Sequence, residues 1–108
     1  MKEIRKDYFS RFLDKEVKTE PHVIKFYSET CHLCVDLQEV FKKLTNDLSN
    51  DYKFVKVDIH KEEKLADLFS SDGVPTIIVY EGGNFHEIKY PEKGYSYEYL
   101  KEILTKGN

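Results

Sequence analysis

The sequence predicts an α/β domain, a central mixed sheet of about four to five strands with helices on both faces. Three observations carry this. Apolar stretches of strand type alternate with stretches of helical spacing, in the order αβαβαββα. The last two strands are joined by Glu81-Gly82-Gly83-Asn84, a hairpin turn that makes them antiparallel, whereas the earlier strands are joined through helices. At 108 residues the chain has room for one core, so residues 1–108 are read as a single domain without linker, repeat or low-complexity segment.

Taken in order, Tyr8, Phe9, Phe12, Leu13 and Val17 recur at helical spacing between about Asp7 and Val17, an amphipathic helix with one core face. Whether a short strand precedes it at Lys2–Ile4 the residues leave open. Glu20-Pro21 punctuates, because proline disfavours helical geometry in the residue before it. His22–Tyr27 is mostly apolar, interrupted by Lys25, and suits a strand covered on both faces. A helix then begins near the cysteines and runs to about Ser49, with Leu37, Phe41, Leu44 and Leu48 on one face. Tyr52–Ile59 is a second strand, and Lys61–Ser70, with Leu65, Leu68 and Phe69, is a short helix closed by Ser71-Asp72-Gly73. Val74–Tyr80 is a β-branched strand opening on Pro75, and after the hairpin Phe85–Tyr90 is its partner. Ser96 caps a last helix carrying Tyr97, Leu100, Ile103 and Leu104. Helical spacing makes Tyr97 core and leaves Tyr99 partly exposed.

Composition excludes several classes. Lys plus Arg number 17 against 20 Asp plus Glu, without the basic footprint of a nucleic-acid binder. The 14% aromatic content separates the chain from disordered sequences. No apolar run approaches the ~18 residues that span a bilayer. The basic residues of Met-Lys-Glu-Ile-Arg-Lys are not followed by the apolar region of a signal peptide. The expectation is a cytoplasmic monomer that meets neither nucleic acid nor membrane. Gly82-Gly83 belongs to the hairpin and is not a phosphate loop.

The only cysteines, Cys31 and Cys34, stand three apart between a strand and a helix. In a reducing compartment such a pair cycles and is rarely a permanent staple. Disulfide exchange needs a thiolate to attack a disulfide sulfur and a second thiol to resolve the mixed disulfide. At a helix start this spacing presents one sulfur outward and sets the other one turn deeper, so Cys31 is read as nucleophile and Cys34 as resolving thiol. The helix N-terminus favours an anion, and cysteines so placed have pKa values of roughly 3.5 to 7.5 rather than about 8.5. The competing reading is two inert buried thiols. For His32 two readings stand: an imidazolium that stabilises the Cys31 thiolate and makes the disulfide a better oxidant, or a solvated histidine at a variable position. A zinc site would need four ligands, and His22, His60 and His86 are unpaired in sequence, so neither metal nor other cofactor is expected. The tyrosines Tyr90, Tyr95, Tyr97 and Tyr99 are read as packing.

From about Tyr8 to Leu104 the chain resembles the thioredoxin family. Cys31-His32-Leu33-Cys34 follows the strand Val23–Tyr27; Phe54-Val55-Lys56-Val57-Asp58 is similar to the family's central strand with its lysine; and Gly73-Val74-Pro75-Thr76-Ile77 is similar to its cis-proline loop, with Gly83 at the following hairpin. There are departures. The family's tryptophan before the first cysteine is Thr30, and the one three residues earlier is Tyr27. Its Gly-Pro between the cysteines is His32-Leu33, its buried strand acid is Lys25, and the glycine after its last strand falls at Pro91.

The resemblance implies a thioredoxin fold and a Cys-x-x-Cys dithiol that reduces or exchanges protein disulfides. It implies a cis Val74–Pro75 bond opposite the cysteines, with Thr30, Val74, Pro75 and Thr76 meeting the substrate; a plain strand-start proline is the alternative. At the family acid's position, Lys25 beside Lys56 could be neutral and serve as base for Cys34, since burial and a like charge both lower a lysine pKa. It could equally pair with Asp58 or reach solvent. The implied partners are disulfide-containing proteins and, as electron donor, a dithiol reductase or a low-molecular-weight thiol. Two other functions fit: a glutaredoxin-like enzyme, which activity with glutathione alone would reveal, and a non-catalytic adaptor holding a partner at the Pro75 groove, whose binding would survive loss of both cysteines.

Overall fold

A computed structural model describes residues 2–4, 20–69 and 73–106. The helix expected near residues 7–17 and the turn residues 71–72 lie outside the described residues. Among the described residues eight elements follow one another: β1 (Lys2–Glu3), β2 (His22–Tyr27), α1 (His32–Leu48), β3 (Lys53–Asp58), α2 (Glu63–Phe69), β4 (Thr76–Glu81), β5 (Asn84–Ile88) and α3 (Tyr97–Thr105).

The strands form one sheet of order β1-β3-β2-β4-β5. The β2–β3 and β1–β3 pairs are parallel, and β4 is antiparallel to both β2 and β5. The sheet is therefore mixed, as expected, and β2 lies at its centre. The question left open at the N-terminus is answered by a two-residue strand that pairs Lys2 with Val55 and Glu3 with Lys56.

Because strand side chains alternate, the sheet has two apolar faces. Val23, Phe54, Ile77 and Val79 face one way and pack with Leu37, Phe41, Leu44 and Leu48 of α1 and Leu100 and Leu104 of α3. Ile24, Phe26, Val55, Val57, Ile78 and Tyr80 face the other way and pack with Ile4 and Leu65. On α1 the buried positions Cys34, Leu37, Phe41, Leu44 and Leu48 make one continuous stripe of helical spacing. Ser96 caps α3 by accepting a hydrogen bond from the Tyr99 N–H.

Some boundaries and burials differ from expectation. Strand β4 opens at Thr76 and not at Val74, because Pro75 has no N–H to give the ladder. Leu68 is 74% exposed, so the inner face of α2 consists of Leu65 with Phe69 half-buried beside Phe26, ring centroids 6.2 Å apart. Tyr97 is half-buried rather than core, its hydroxyl donating to Asp47. Strand β5 stops at Ile88, and of its residues only Ile88 is buried.

Candidate active site

At the end of β2 the chain turns through Ser28, Glu29 and Thr30 into α1. The Cys31 N–H donates to the Ser28 carbonyl at 3.2 Å, which closes the turn. Cys31 is the N-cap of α1, with extended backbone (φ −88°, ψ 113°), and its Sγ accepts the Cys34 N–H at 3.1 Å. Cys31 is half-buried and Cys34 is 3% exposed, since Cys34 is the first residue of the buried stripe while its partner sits at the helix rim. Both are free thiols. Burial, reinforced by the contact with Cys31, pushes the Cys34 thiol up to about 12, against the pull of the Lys25 charge.

Lys25 is 5% exposed and faces α1. Its Nζ lies 5.0 Å from the Phe41 ring centroid and 5.8 Å from that of Tyr27. Lys56, directly opposite Lys25 in the parallel register, places its own Nζ 5.3 Å from the same Tyr27 ring. Burial, and then the charge of Lys56, lower the Lys25 pKa, opposed by Cys34 and Glu3. Of the readings left open for Lys25, an ion pair with Asp58 is absent among the described residues. The Asp58 carboxylate accepts the His60 N–H, and Glu3 takes the Tyr27 hydroxyl and the Asp58 N–H. Nor does Lys25 extend to the outer surface; it stays in the wall of a cleft. Lys25, Cys34 and Lys56 line one cleft of about 510 Å³.

A second arrangement was not legible in the sequence. The buried Ser28 hydroxyl lies 3.0 Å from the Thr30 hydroxyl and 3.2 Å from Nε2 of His60, and it accepts the Thr30 N–H. His60 thus ties the turn after β3 to the turn that carries Cys31. Only a serine between an aromatic strand and a cysteine marks the spot in the sequence, and serine is common in turns.

On the other side of the cysteines, Leu33 and Gly73–Thr76 share a groove of about 520 Å³ with Tyr90 and Tyr95. The Val74–Pro75 bond is cis, as the resemblance implied, and the Thr76 hydroxyl donates to the Gly73 carbonyl. Val74, Pro75 and Thr76 are therefore brought to the cysteine loop through Leu33, which is 52% exposed. Thr30, exposed and bound to Ser28, is not part of that groove. His32 is exposed and makes no hydrogen bond or ion pair with the described residues. The other histidines lie apart, His22 with Nδ1 on the Glu20 carbonyl and His86 exposed on β5.

Comparison with known proteins places this geometry. The sequence model of the family described as thioredoxin matches residues 1–106. Among curated proteins, Bloodstream-specific protein 2 of Trypanosoma brucei brucei is 35% identical over 72 residues, 67% of this chain but 14% of that protein. The thioredoxin of Borreliella burgdorferi is 34% identical over 58 residues, 54% of this chain and 50% of its own length. The chain thus spans half or less of these relatives. Among solved structures, Fasciola hepatica thioredoxin superposes with a TM-score of 0.81 at 21% identity, covering all of both chains. Mitochondrial thioredoxin 3 of Saccharomyces cerevisiae gives 0.80 at 22% identity, over 98% of this chain and 94% of that one.

Proposed function

The chain belongs to the thioredoxin family, and from that premise we propose that it is a thiol–disulfide oxidoreductase that reduces or exchanges protein disulfides. The observation that carries the proposal is the pair itself: Cys31 at the rim of α1 and Cys34 buried one turn in, joined by an N–H···S contact. The Cys31 thiolate attacks one sulfur of a substrate disulfide, and the other leaves as a thiolate. Cys34, deprotonated, attacks Sγ of Cys31, releases the second substrate thiol and leaves a Cys31–Cys34 disulfide. Two electrons pass from the protein to the substrate. A dithiol reductase or a low-molecular-weight thiol restores the dithiol, and the chain acts as a cytoplasmic monomer, a setting in which a lone Cys-x-x-Cys cycles.

The buried Cys34 proton needs an acceptor, and we assign it to the Lys25 amine, which burial and the facing Lys56 both favour in its neutral form. The groove of Leu33, Val74, Pro75 and Thr76 receives the extended substrate segment. The test uses a model protein disulfide with dithiothreitol as donor. Cys31→Ser is expected to abolish turnover, and Cys34→Ser, reduced and then freed of dithiothreitol before it meets the substrate, to accumulate a mixed disulfide that added thiol releases. Turnover by Cys31→Ser at the wild-type rate, or no trapped adduct with Cys34→Ser, overturns the assignment.

A further inference from the structure

Lys25 is an unusual buried lysine. It is 5% exposed, and among the described residues it has neither a hydrogen bond nor an ion-pair partner. What surrounds it is another lysine, directly across the strand pair, and the two aromatic faces of Tyr27 and Phe41. Of the described acids, Glu3 accepts hydrogen bonds from the Tyr27 hydroxyl and the Asp58 N–H, and Asp58 accepts one from the His60 N–H. A buried charge without a counter-charge is costly, and a like charge beside it adds to that cost.

The cleft these lysines line is open to solvent. Its wall holds Lys42 as a third cation and, among the described residues, Glu29, exposed, as the only acid, with the amide side chains of Gln38 and Asn46 as hydrogen-bond donors. A volume of about 510 Å³ admits a small molecule. From cations that lack a carboxylate, neutral donors beside them and room between, we propose that this cleft binds a small oxyanion, either inorganic phosphate or the carboxylate end of a low-molecular-weight thiol. The bound anion supplies an ion-pair partner that the described residues do not. It also holds Lys25 in its charged form and so withholds the base from Cys34. That consequence rests on the role given to Lys25 above; the binding does not.

The test follows backbone amide resonances of the reduced, ¹⁵N-labelled protein at constant ionic strength. One titration uses sodium phosphate and another S-methylglutathione, whose thioether cannot exchange with the cysteines. Saturable shifts centred on Gln38, Thr45 and Asn46, with affinity lowered at least tenfold by Lys25→Met, are expected. Should Lys25→Met fail to fold, Lys56→Met is expected to show the same loss. Saturation by phosphate alone identifies a free oxyanion, by S-methylglutathione alone a thiol's carboxylate, and by both the shared chemistry. Shifts that do not saturate, that centre on the Leu33 groove, or that persist unchanged in the variants overturn the proposal. The readout involves no disulfide chemistry, so its failure leaves the oxidoreductase assignment untouched.

Discussion

Val23 and Lys25 stand two residues apart on β2, face the same way and lie under the same helix, yet their surroundings differ in kind. Val23 pairs with Phe54 on one side and Val79 on the other, inside a cluster completed by Leu44, Leu48, Leu100 and Leu104. Lys25 pairs with Lys56 and Ile77 and looks toward Cys34. Phe41 marks the border. Its ring meets Phe54 in a T-shaped contact at 6.2 Å and also carries the Lys25 Nζ 5.0 Å from its centroid. One interface between a sheet and a helix is thus split along its length. One end is apolar and closed, and there burial holds the fold. The other end keeps a buried lysine and a buried thiol, which stability alone would remove.

The comparison can be broken most sharply at its apolar end. Leu44→Ala removes a fully buried side chain, and a loss of about 2–5 kcal/mol is expected in chemical denaturation, with the rate of disulfide reduction per folded molecule unchanged. Lys25→Met should act in the opposite direction, with a gain in stability at neutral pH, since it removes a buried amine that faces a second lysine and replaces it with an apolar side chain of similar length. The pH dependence of that gain follows from the lowered Lys25 pKa. Below the folded value, wild type carries the whole penalty of the buried ammonium. As pH rises from there toward the ordinary value of about 10.4, the unfolded chain still holds a proton that the folded one has released. Wild type therefore gains stability across that window, and the advantage of Lys25→Met closes; denaturation series of both proteins check it. The same variant is expected to slow resolution of the mixed disulfide by Cys34, read in single-turnover kinetics. The smallest effect belongs to the rim: replacing His32-Leu33 by Gly-Pro should lower the reduction potential by on the order of 30 mV, tenfold in the equilibrium constant, measured against defined thiol buffers.

The apolar end was also the part most legible in the sequence. Leu37, Phe41, Leu44 and Leu48 announce a helix face by spacing alone, and the strands that receive it announce themselves by alternation. The cysteine pair was legible because three-residue spacing at a helix start has few other uses. The fate of Lys25 was not, because its burial and the facing of Lys56 follow from the β2–β3 register and from where Glu3 and Asp58 spend their hydrogen bonds. The same holds for Ser28 and His60, 32 residues apart and joined only when two turns meet at one end of the sheet. Leu68 shows the converse error. Its spacing suits a buried face, but α2 is two turns long and Leu65 already occupies the inner position.

The hairpin at Gly82-Gly83 places β5 at the border of the sheet, opposite the border held by β1. Among the described residues no strand lies beyond it, so one rail of its peptide groups is available to an added strand. Along that rail stand His86 and Glu87, both exposed, with Lys89 just after. Copies of this chain laid border to border would bring such polar and ionic side chains together and strip their water. The strand that completes the sheet thereby also discourages its extension into an aggregate.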